Sequence, residues 1–298
     1  MEENFKSAFI GIVGSPNVGK STMLNYFIGR KVAIVSNKAQ TTRSRITGIL
    51  TKGDYQMIFL DTPGIADPKN MLGEVMVKTA YDSARDVDAV LFVADLKYGI
   101  GDRDKDILQK LSRGNVPLVV ALNKTDAVDK PAITKSIDAL NELGIEDNIH
   151  TISAITGEGM DELMVALKRF LVDGPMYYPK TMISDQPEKQ IVAEIIREKA
   201  LILLSDEVPH GIGVDVISIK EREDKPLIDI EANIYCERDS HKGIIIGKGG
   251  SMLKKIGMEA RHDIQMLFGK QIFLSLFVKV KENWRDSRRD LTDLGFFE

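Results

Sequence analysis

Residues Gly14-Ser15-Pro16-Asn17-Val18-Gly19-Lys20-Ser21, followed by Thr22, fit the pattern G-x-x-x-x-G-K-[ST]. The pattern follows an apolar run and opens a segment with helical periodicity, which is the context this chemistry requires. Glycines let backbone N–H groups turn inward around phosphates. The start of a helix adds a positive end. Lys20 is then placed to reach β- and γ-phosphates, and the Ser21 hydroxyl to ligate Mg²⁺.

Three later segments could complete such a site. Asp61-Thr62-Pro63-Gly64 ends the apolar run QMIFL, where a carboxylate can hold Mg²⁺ through water and the Gly64 N–H can meet a γ-phosphate. Asn123-Lys124-Thr125-Asp126 ends the run PLVVAL. A carboxylate at Asp126 can accept from N1–H and the exocyclic amine of guanine. Adenine has no donor on that edge and would leave the acid unpaired. Asn123 can tie this segment to the phosphate loop, and Lys124 can lie along the base plane. Ser153-Ala154 follows a further run, and the Ala154 N–H could meet guanine O6.

These residues need elements to carry them. The runs at 8–14, 56–61, 89–95, 117–123 and 149–154 read as buried strands. Helical segments lie between them: Met23, Leu24, Phe27 and Ile28 share one face of 21–29, and Leu163, Leu167, Phe170 and Leu171 share one face of 160–172. Alternation of this kind predicts an α/β domain over 1–173 with a mostly parallel six-stranded sheet. Residues 40–51 (QTTRSRITGILT) are β-branched and lead through Lys52-Gly53-Asp54 into the next strand, which predicts a hairpin and one antiparallel edge. Three prolines in 174–189 mark a linker. Beyond it the order is helix (190–204), strand (213–221), strand (226–237), a helix-rich stretch (241–268), strand (271–281) and a terminal helix from Trp284, a smaller α+β domain over 190–298.

Composition narrows the class. The chain has 298 residues, 43% of them hydrophobic, enough for two cores. No apolar run is long enough to span a bilayer, and the start, MEENFKSAF, lacks the apolar stretch of a signal peptide. A single cysteine, Cys236, excludes a disulfide framework, so a reducing cytoplasmic location is expected. The net charge of −4 conceals a split: residues 185–237 hold 6 Lys/Arg against 13 Asp/Glu, whereas 238–289 hold 12 against 5. That +7 block is a footprint for nucleic acid or for an anionic membrane surface.

Within the block lies Ile246-Gly247-Lys248-Gly249-Gly250, a GxxG loop between two helices, followed by Lys254, Lys255 and Arg261. Glycines let such a loop press against a nucleic-acid backbone while Lys248 meets phosphate. The element order around it resembles a KH domain of the prokaryotic, type II kind, which grips about four nucleotides of single strand.

Taken together, the segments resemble the Ras-like P-loop GTPase superfamily. The spellings GSPNVGKS, KAQTTRSRI, DTPGI, NKTD and the SAxxGxG ending, joined to the KH-like tail, resemble the Era family along essentially the whole chain. The resemblance implies binding of GTP and GDP with Mg²⁺, and hydrolysis of GTP to GDP. Lys20, Thr42, Gly64 and Asn17 would then act at the reacting phosphate. Thr42 would be the switch threonine that joins Ser21 and Asp61 at Mg²⁺, with Thr41 beside it as the alternative. Asn17 either shapes the loop or helps hold K⁺ against the phosphates. The resemblance further implies binding of the 3′ end of 16S ribosomal RNA and a role in assembly of the 30S subunit. The GTP-bound form would favour RNA engagement. Peripheral contact with the inner membrane face and a monomeric state are also expected.

Ile65 departs from the Ras pattern, which has a water-orienting glutamine after this motif; isoleucine cannot orient water, so slow hydrolysis is expected. The rival readings are an RNA-binding module with an inert nucleotide site, and an ATP-dependent enzyme, against which Asp126 speaks. His150, His210, His241 and His262 lack ligand spacing. His241 and His262 are expected at the surface or facing RNA, and Cys236 in the core. Trp284, with Arg285, Arg288 and Arg289 after it, either caps the domain or meets RNA.

Overall fold

The computed structural model describes residues 5–297 apart from 37, 39 and 206. The acidic start at residues 1–4 and Ala39 of KAQTTRSRI therefore lie outside the described residues. The chain divides into two compact units. The first takes in the chain up to Val35, Thr42–Pro68 and Gly73–Asp185; the second takes in Ser36–Thr41, Lys69–Leu72 and the chain from Gln186.

In the first unit the elements run β1 (Lys6–Gly14), α1 (Lys20–Ile28), β2 (Ile46–Lys52), β3 (Tyr55–Asp61), α2 (Met71–Asp82), β4 (Ala89–Asp95), α3 (Asp102–Ser112), β5 (Leu118–Asn123), α4 (Lys130–Asn141), β6 (Ile149–Ile152), α5 (Met160–Leu167) and β7 (Val172–Asp173). The strand order is β2-β3-β1-β4-β5-β6. β3, β1, β4, β5 and β6 are parallel neighbours, and β2 pairs antiparallel with β3 from Ile46↔Asp61 to Lys52↔Tyr55. This is the expected six-stranded sheet with one antiparallel edge. Its central strands read as unbroken apolar runs because helices cover both faces. Met23, Leu24 and Phe27 of α1 and Leu163 and Leu167 of α5 pack on one face with Ile10, Ile12 and Phe59. Ile107, Leu108 and Leu140 pack on the other with Val90, Phe92 and Val120.

The structure departs from the sequence expectation at two places in the first unit, and in the second the helix expected from Trp284 begins at Arg288 after a 3₁₀ turn. The helix predicted to reach 172 stops at Leu167, passes through a single 3₁₀ turn and becomes extended at Leu171. Val172 and Asp173 then add a seventh, two-residue strand antiparallel to β1. Strand pairing overrides helical periodicity there. The segment that reads as a linker is strapped to the first unit through Asp185. The Gln56 side chain accepts from Tyr178 N at 3.0 Å and donates to Tyr178 O at 2.9 Å. The Ile49 N–H donates to Ile183 O at 2.9 Å. Tyr177 sets its ring edge-on against Phe9, with centroids 4.9 Å apart.

The second unit runs α6 (Glu188–Leu203), β8 (Gly213–Glu221), β9 (Leu227–Cys236), α7 (Asp239–Ile246), α8 (Ser251–Phe268), β10 (Gln271–Val280) and α9 (Arg288–Asp293). β9 is central, antiparallel to β8 and parallel to β10. Its alternate residues Ile228, Ile230, Ala232 and Ile234 face one core with Val192, Ile196 and Ala200 of α6 and Ile256, Ala260 and Ile264 of α8. This is the smaller α+β domain the sequence predicts.

Candidate functional site

The phosphate loop and the segments at Asp61, Asn123 and Ser153 sit at the carboxyl ends of parallel strands, where open α/β sheets bind ligands, and Thr42 precedes the antiparallel edge strand β2. β1 delivers the phosphate loop, β3 ends at Asp61, β4 at Asp95 and β5 at Asn123. Gly19 precedes α1 with φ 103°, and a Cβ there would collide with Asn123 Nδ2. The position therefore needs glycine for both backbone and space. Asn123 Nδ2 donates to Val18 O at 2.7 Å. The Thr62 hydroxyl donates to Ile12 O at 2.7 Å, and the Ile65 N–H to Gly14 O at 3.1 Å. These bonds lay Gly64 so close to Pro16 that no side chain would fit between them.

Three oxygen groups converge beside Lys20. The Ser21 hydroxyl donates to Asp61 Oδ2 at 2.6 Å and lies 2.9 Å from Thr42 Oγ1. Asp61 Oδ1 is buried without a hydrogen-bond partner. A hydroxyl pair beside an orphaned carboxylate oxygen is a donor set for a hard, oxygen-seeking cation, so these residues fit Mg²⁺. Thr41 is placed differently. Its hydroxyl donates to Lys38 O at 2.7 Å and lies 2.8 Å from Ser36 Oγ. The geometry thus joins Thr42, and not Thr41, to Ser21 and Asp61.

Lys20 donates to Gly14 O at 3.1 Å and Ser15 O at 2.9 Å. Burial pulls its ammonium down to about 8, against the attraction of Asp61 and Asp104. Burial pushes the Asp61 carboxyl up to about 6, against Lys20 and the Ser21 bond. Both shifts disfavour the charged form, and a phosphate beside Lys20 or a cation beside Asp61 reverses them. The signs follow. Stability contributed by protonated Asp61 is full below the ordinary carboxylate range and is lost as pH rises through about 6. Stability contributed by neutral Lys20 is full above the ordinary lysine value and is lost as pH falls through about 8. Mg²⁺-dependent nucleotide affinity should therefore hold between about pH 6 and 8. It should fall by about tenfold per unit below that window as Asp61 takes up its proton. Titrating nucleotide affinity against pH with Mg²⁺ or EDTA checks this; Asp61→Asn should remove the Mg²⁺-dependent acid limb.

At the other end of the cleft the Ser153 hydroxyl donates to Asp126 Oδ1 at 2.5 Å, aiming a carboxylate whose residue is exposed. Lys124 has φ 73° and donates to Asn17 O at 2.9 Å and to Asp95 Oδ2 at 2.6 Å. The Ala154 N–H, expected to be available to guanine O6, instead donates to Asn123 Oδ1 at 3.0 Å. Asn123 so bridges three loops, which competes with the role expected of Ala154. Thr125 donates to Glu158 at 3.1 Å on the surface. In the sequence Asp95 shows only as a carboxylate ending an apolar strand, the same signal Asp61 gives. Ile65 is 6% exposed and packs with Val13, Ala80 and Phe92. Shortening it to alanine is a core deletion costing about 2–5 kcal/mol, beyond any effect on water.

In the second unit, the loop between α7 and α8 turns through Gly247 (φ 73°), Gly249 (φ 60°) and Gly250 (φ 81°). A Cβ at Gly247 would come within 2.8 Å of Met252 N. Lys248 is exposed. Beside the loop runs a groove between α8 and β10. Gly250, Lys254 and Arg261 line it, with Leu253, Gly257, Met258, Phe273, Leu274 and Leu276. Lys255 is exposed but lies off this groove, half-buried Ile246 likewise. The apolar lining is invisible in sequence, because the same residues read as the ordinary core face of an amphipathic helix and strand. Gly257 passes close beneath Leu276. Such a groove offers a cationic edge for phosphates and an apolar floor for bases.

Trp284 and Cys236 resolve as packing, whereas His262, Arg288 and Arg289 are exposed. Trp284 is fully buried and donates to Gly211 O at 3.0 Å. Arg285 pairs with Glu237, and Arg288 lies over Phe297. Cys236 is buried in the core. His150 Nε2 and His241 Nδ1 are buried without partners, so neither ring is wholly at the surface. Burial holds the His150 imidazolium below its ordinary range. No cluster of metal-ligating residues built on His, Cys, Asp or Glu occurs among the described residues. None of their helices is long and apolar enough to cross a membrane.

A Ras-like sheet with a glycine-lysine phosphate loop, a carboxylate-hydroxyl cluster and an Asn-Lys-x-Asp segment defines a P-loop GTPase, here joined to a KH domain. Family models agree: residues 9–124 match "50S ribosome-binding GTPase" and residues 207–285 match "KH domain". GTPase Era of Caldicellulosiruptor saccharolyticus is 51% identical over 98% of both chains. GTPase Era of Clostridioides difficile is 48% identical over 98% of this chain and 99% of its own. A crystal structure of Era with MgGDPNP and nucleotides 1506–1542 of 16S ribosomal RNA superposes with TM-score 0.95 at 38% identity, covering 99% of this chain and 100% of that one. A point variant of Aquifex aeolicus Era bound to GDP·AlF4⁻ superposes equally well, with the same identity and coverage. The chain belongs to the Era family of GTPases, and it is a GTP hydrolase.

Proposed function

We propose that this GTPase is a switch whose KH domain binds the single-stranded 3′ end of 16S ribosomal RNA during assembly of the 30S subunit. The observation that carries the RNA reading is the GxxG turn opening onto the groove that Lys254 and Arg261 line. The relative solved with nucleotides 1506–1542 of that RNA supports the choice of ligand.

In this reading the loop Gly14–Ser21 and Thr22 cradle the phosphates, and the Lys20 ammonium, with a donor beyond the two given to Gly14 O and Ser15 O, meets them. Ser21, Thr42 and Asp61 would hold Mg²⁺, which would supply positive charge to the phosphates when bound. The Gly64 N–H donates to a γ-phosphate oxygen, and Asp126, aimed by Ser153, accepts from guanine. Water attacks phosphorus without a glutamine to orient it, since Ile65 is packed in the core. Catalysis then rests on positioning and charge.

Asn17 supplies part of that charge by helping to hold K⁺. Its left-handed backbone (φ 63°) and exposed position at the mouth of the phosphate loop support this. Replacing KCl by NaCl at equal ionic strength should slow phosphate release. Asn17→Gly, which tolerates that φ, should remove the difference between salts. Equal rates of the wild type in both salts would end the K⁺ role.

Crosslinking the purified protein to total cellular RNA and mapping the sites tests the RNA reading. Crosslinks concentrated at the 16S 3′ end are expected. Crosslinks spread over all RNA, with capture by anionic vesicles instead, would assign the basic block to the cytoplasmic membrane face.

A further inference from the structure

We propose that Asp104 is a positioning residue for the phosphate loop, gripping Ser15 from the side of α3. Its carboxylate Oδ1 accepts from the Ser15 hydroxyl at 2.7 Å. The other oxygen accepts from the Gly101 N–H at 3.4 Å, closing the first turn of α3. Ser15 directly follows the first glycine of the loop pattern, and the pattern itself places no demand on its side chain. The bond joins residues 89 apart in sequence and is visible only in the fold.

The surroundings give this bond weight. Asp104 is half-buried, and burial raises its carboxyl above the ordinary range against the Ser15 and Gly101 bonds. A desolvated carboxylate makes a stronger hydrogen bond than an exposed one. Ser15 is held at two points: its carbonyl by Lys20 at 2.9 Å and its hydroxyl by Asp104. The two contacts are independent, so the Asp104 bond holds Ser15 whichever way the Lys20 ammonium is drawn. The residue before it on α3, Arg103, pairs with Asp67 at 2.8 Å, just beyond the Asp61–Ile65 segment. The first turn of α3 therefore touches the phosphate loop and the loop that follows Gly64. Asp104 also brings negative charge toward Lys20 and the phosphate site, so its hydrogen bond and its charge oppose one another in nucleotide binding.

Those two contributions separate by substitution. Ser15→Ala removes the hydrogen bond without touching α3, and Asp104→Ala removes both bond and charge. Asp104→Asn keeps an acceptor for the Ser15 hydroxyl, removes the charge and gives up the long 3.4 Å bond from the Gly101 N–H. GTP and GDP affinity, GDP release and steady-state turnover are measured on the full chain, with thermal melting as control. Ser15→Ala should weaken both nucleotides by about tenfold, the loss of one charge-assisted hydrogen bond. The change should appear in KM and GDP release, with kcat within about twofold, because the loop is held equally in ground and transition states. Asp104→Ala in the Ser15→Ala background should add less than it does alone. Asp104→Asn should restore at least wild-type affinity. Wild-type nucleotide affinity in Ser15→Ala, or losses from Ser15→Ala and Asp104→Ala that simply add, would overturn the assignment. So would an Asp104→Asn variant as weak as Asp104→Ala, which would leave Asp104 a mere helix cap.

Discussion

Asp126→Asn should weaken GTP binding by on the order of 10²-fold or more while xanthosine triphosphate gains. The carboxylate accepts from guanine's N1–H and exocyclic amine, whereas a carboxamide presents one acceptor and one donor. The guanine amine then faces an amine, and a buried donor without an acceptor costs about 1–3 kcal/mol. Xanthine carries a carbonyl at that position and accepts from the new donor. Polar edge recognition of this kind discriminates far more sharply than apolar fit. Ser153 sharpens the case, because its hydroxyl, 2.5 Å from Asp126 Oδ1, can serve either side chain and keeps the variant's geometry. Competition of GTP, xanthosine triphosphate and ATP against a fluorescent nucleotide measures the shift. Unchanged affinity for both GTP and xanthosine triphosphate would withdraw Asp126 from base selection.

The paired substitution Lys248→Asp with Gly249→Asp should abolish binding of single-stranded RNA and leave GTP affinity intact. Gly249 has φ 60°, and nothing lies within 4 Å of a Cβ built there. Space at the Cβ is therefore open; the substitution brings backbone strain and negative charge to the surface that must approach phosphate. Lys20 and Asp126 belong to the first unit, so the nucleotide site keeps its residues. Wild-type RNA affinity should fall steeply with salt, with a slope of about −0.7 per neutralised phosphate. Lys248→Ala alone should lower that slope by about one contact. Melting of both variants at the wild-type temperature guards against unfolding. Full RNA binding by the aspartate pair would remove the GxxG loop from the interface.

How much of the fold and site is legible in the sequence depends on how local each signal is. The strand-loop-helix at residues 6–28 carries its whole message in contiguous residues, and it folds as the pattern predicts. The carboxylate ending β3 and the Asn-Lys-x-Asp segment ending β5 are equally local, since a polar group at the carboxyl end of a buried strand has few other uses. Thr41 and Thr42 cannot be told apart in sequence, because both are adjacent hydroxyls; only backbone direction separates the one bonded to Lys38 from the one beside Ser21. Asp95 and Asp104 escape a sequence reading because their partners are distant along the chain. The strap at 174–185 reads as a linker because proline marks where regular structure stops and says nothing of what the chain then packs against. Gln56 supplies that answer, with a pair of bonds to Tyr178. The apolar lining of the KH groove is hidden for the opposite reason, since a base-binding face and a core face carry the same residue types.

Coupling of a guanine nucleotide state to single-stranded RNA within one chain is the central claim. Its most direct test is the equilibrium affinity of the full chain for an oligonucleotide of nucleotides 1506–1542 of 16S ribosomal RNA, the segment held by the solved relative. That affinity is measured with Mg²⁺ and either a non-hydrolysable GTP analogue or GDP. Coupling between two sites typically amounts to about 1–3 kcal/mol. RNA should bind about tenfold tighter with the GTP analogue, and by reciprocity the RNA should tighten the analogue by the same factor. Equal RNA affinity in the two nucleotide states would contradict the claim, leaving a GTPase and an RNA-binding domain that merely share a chain.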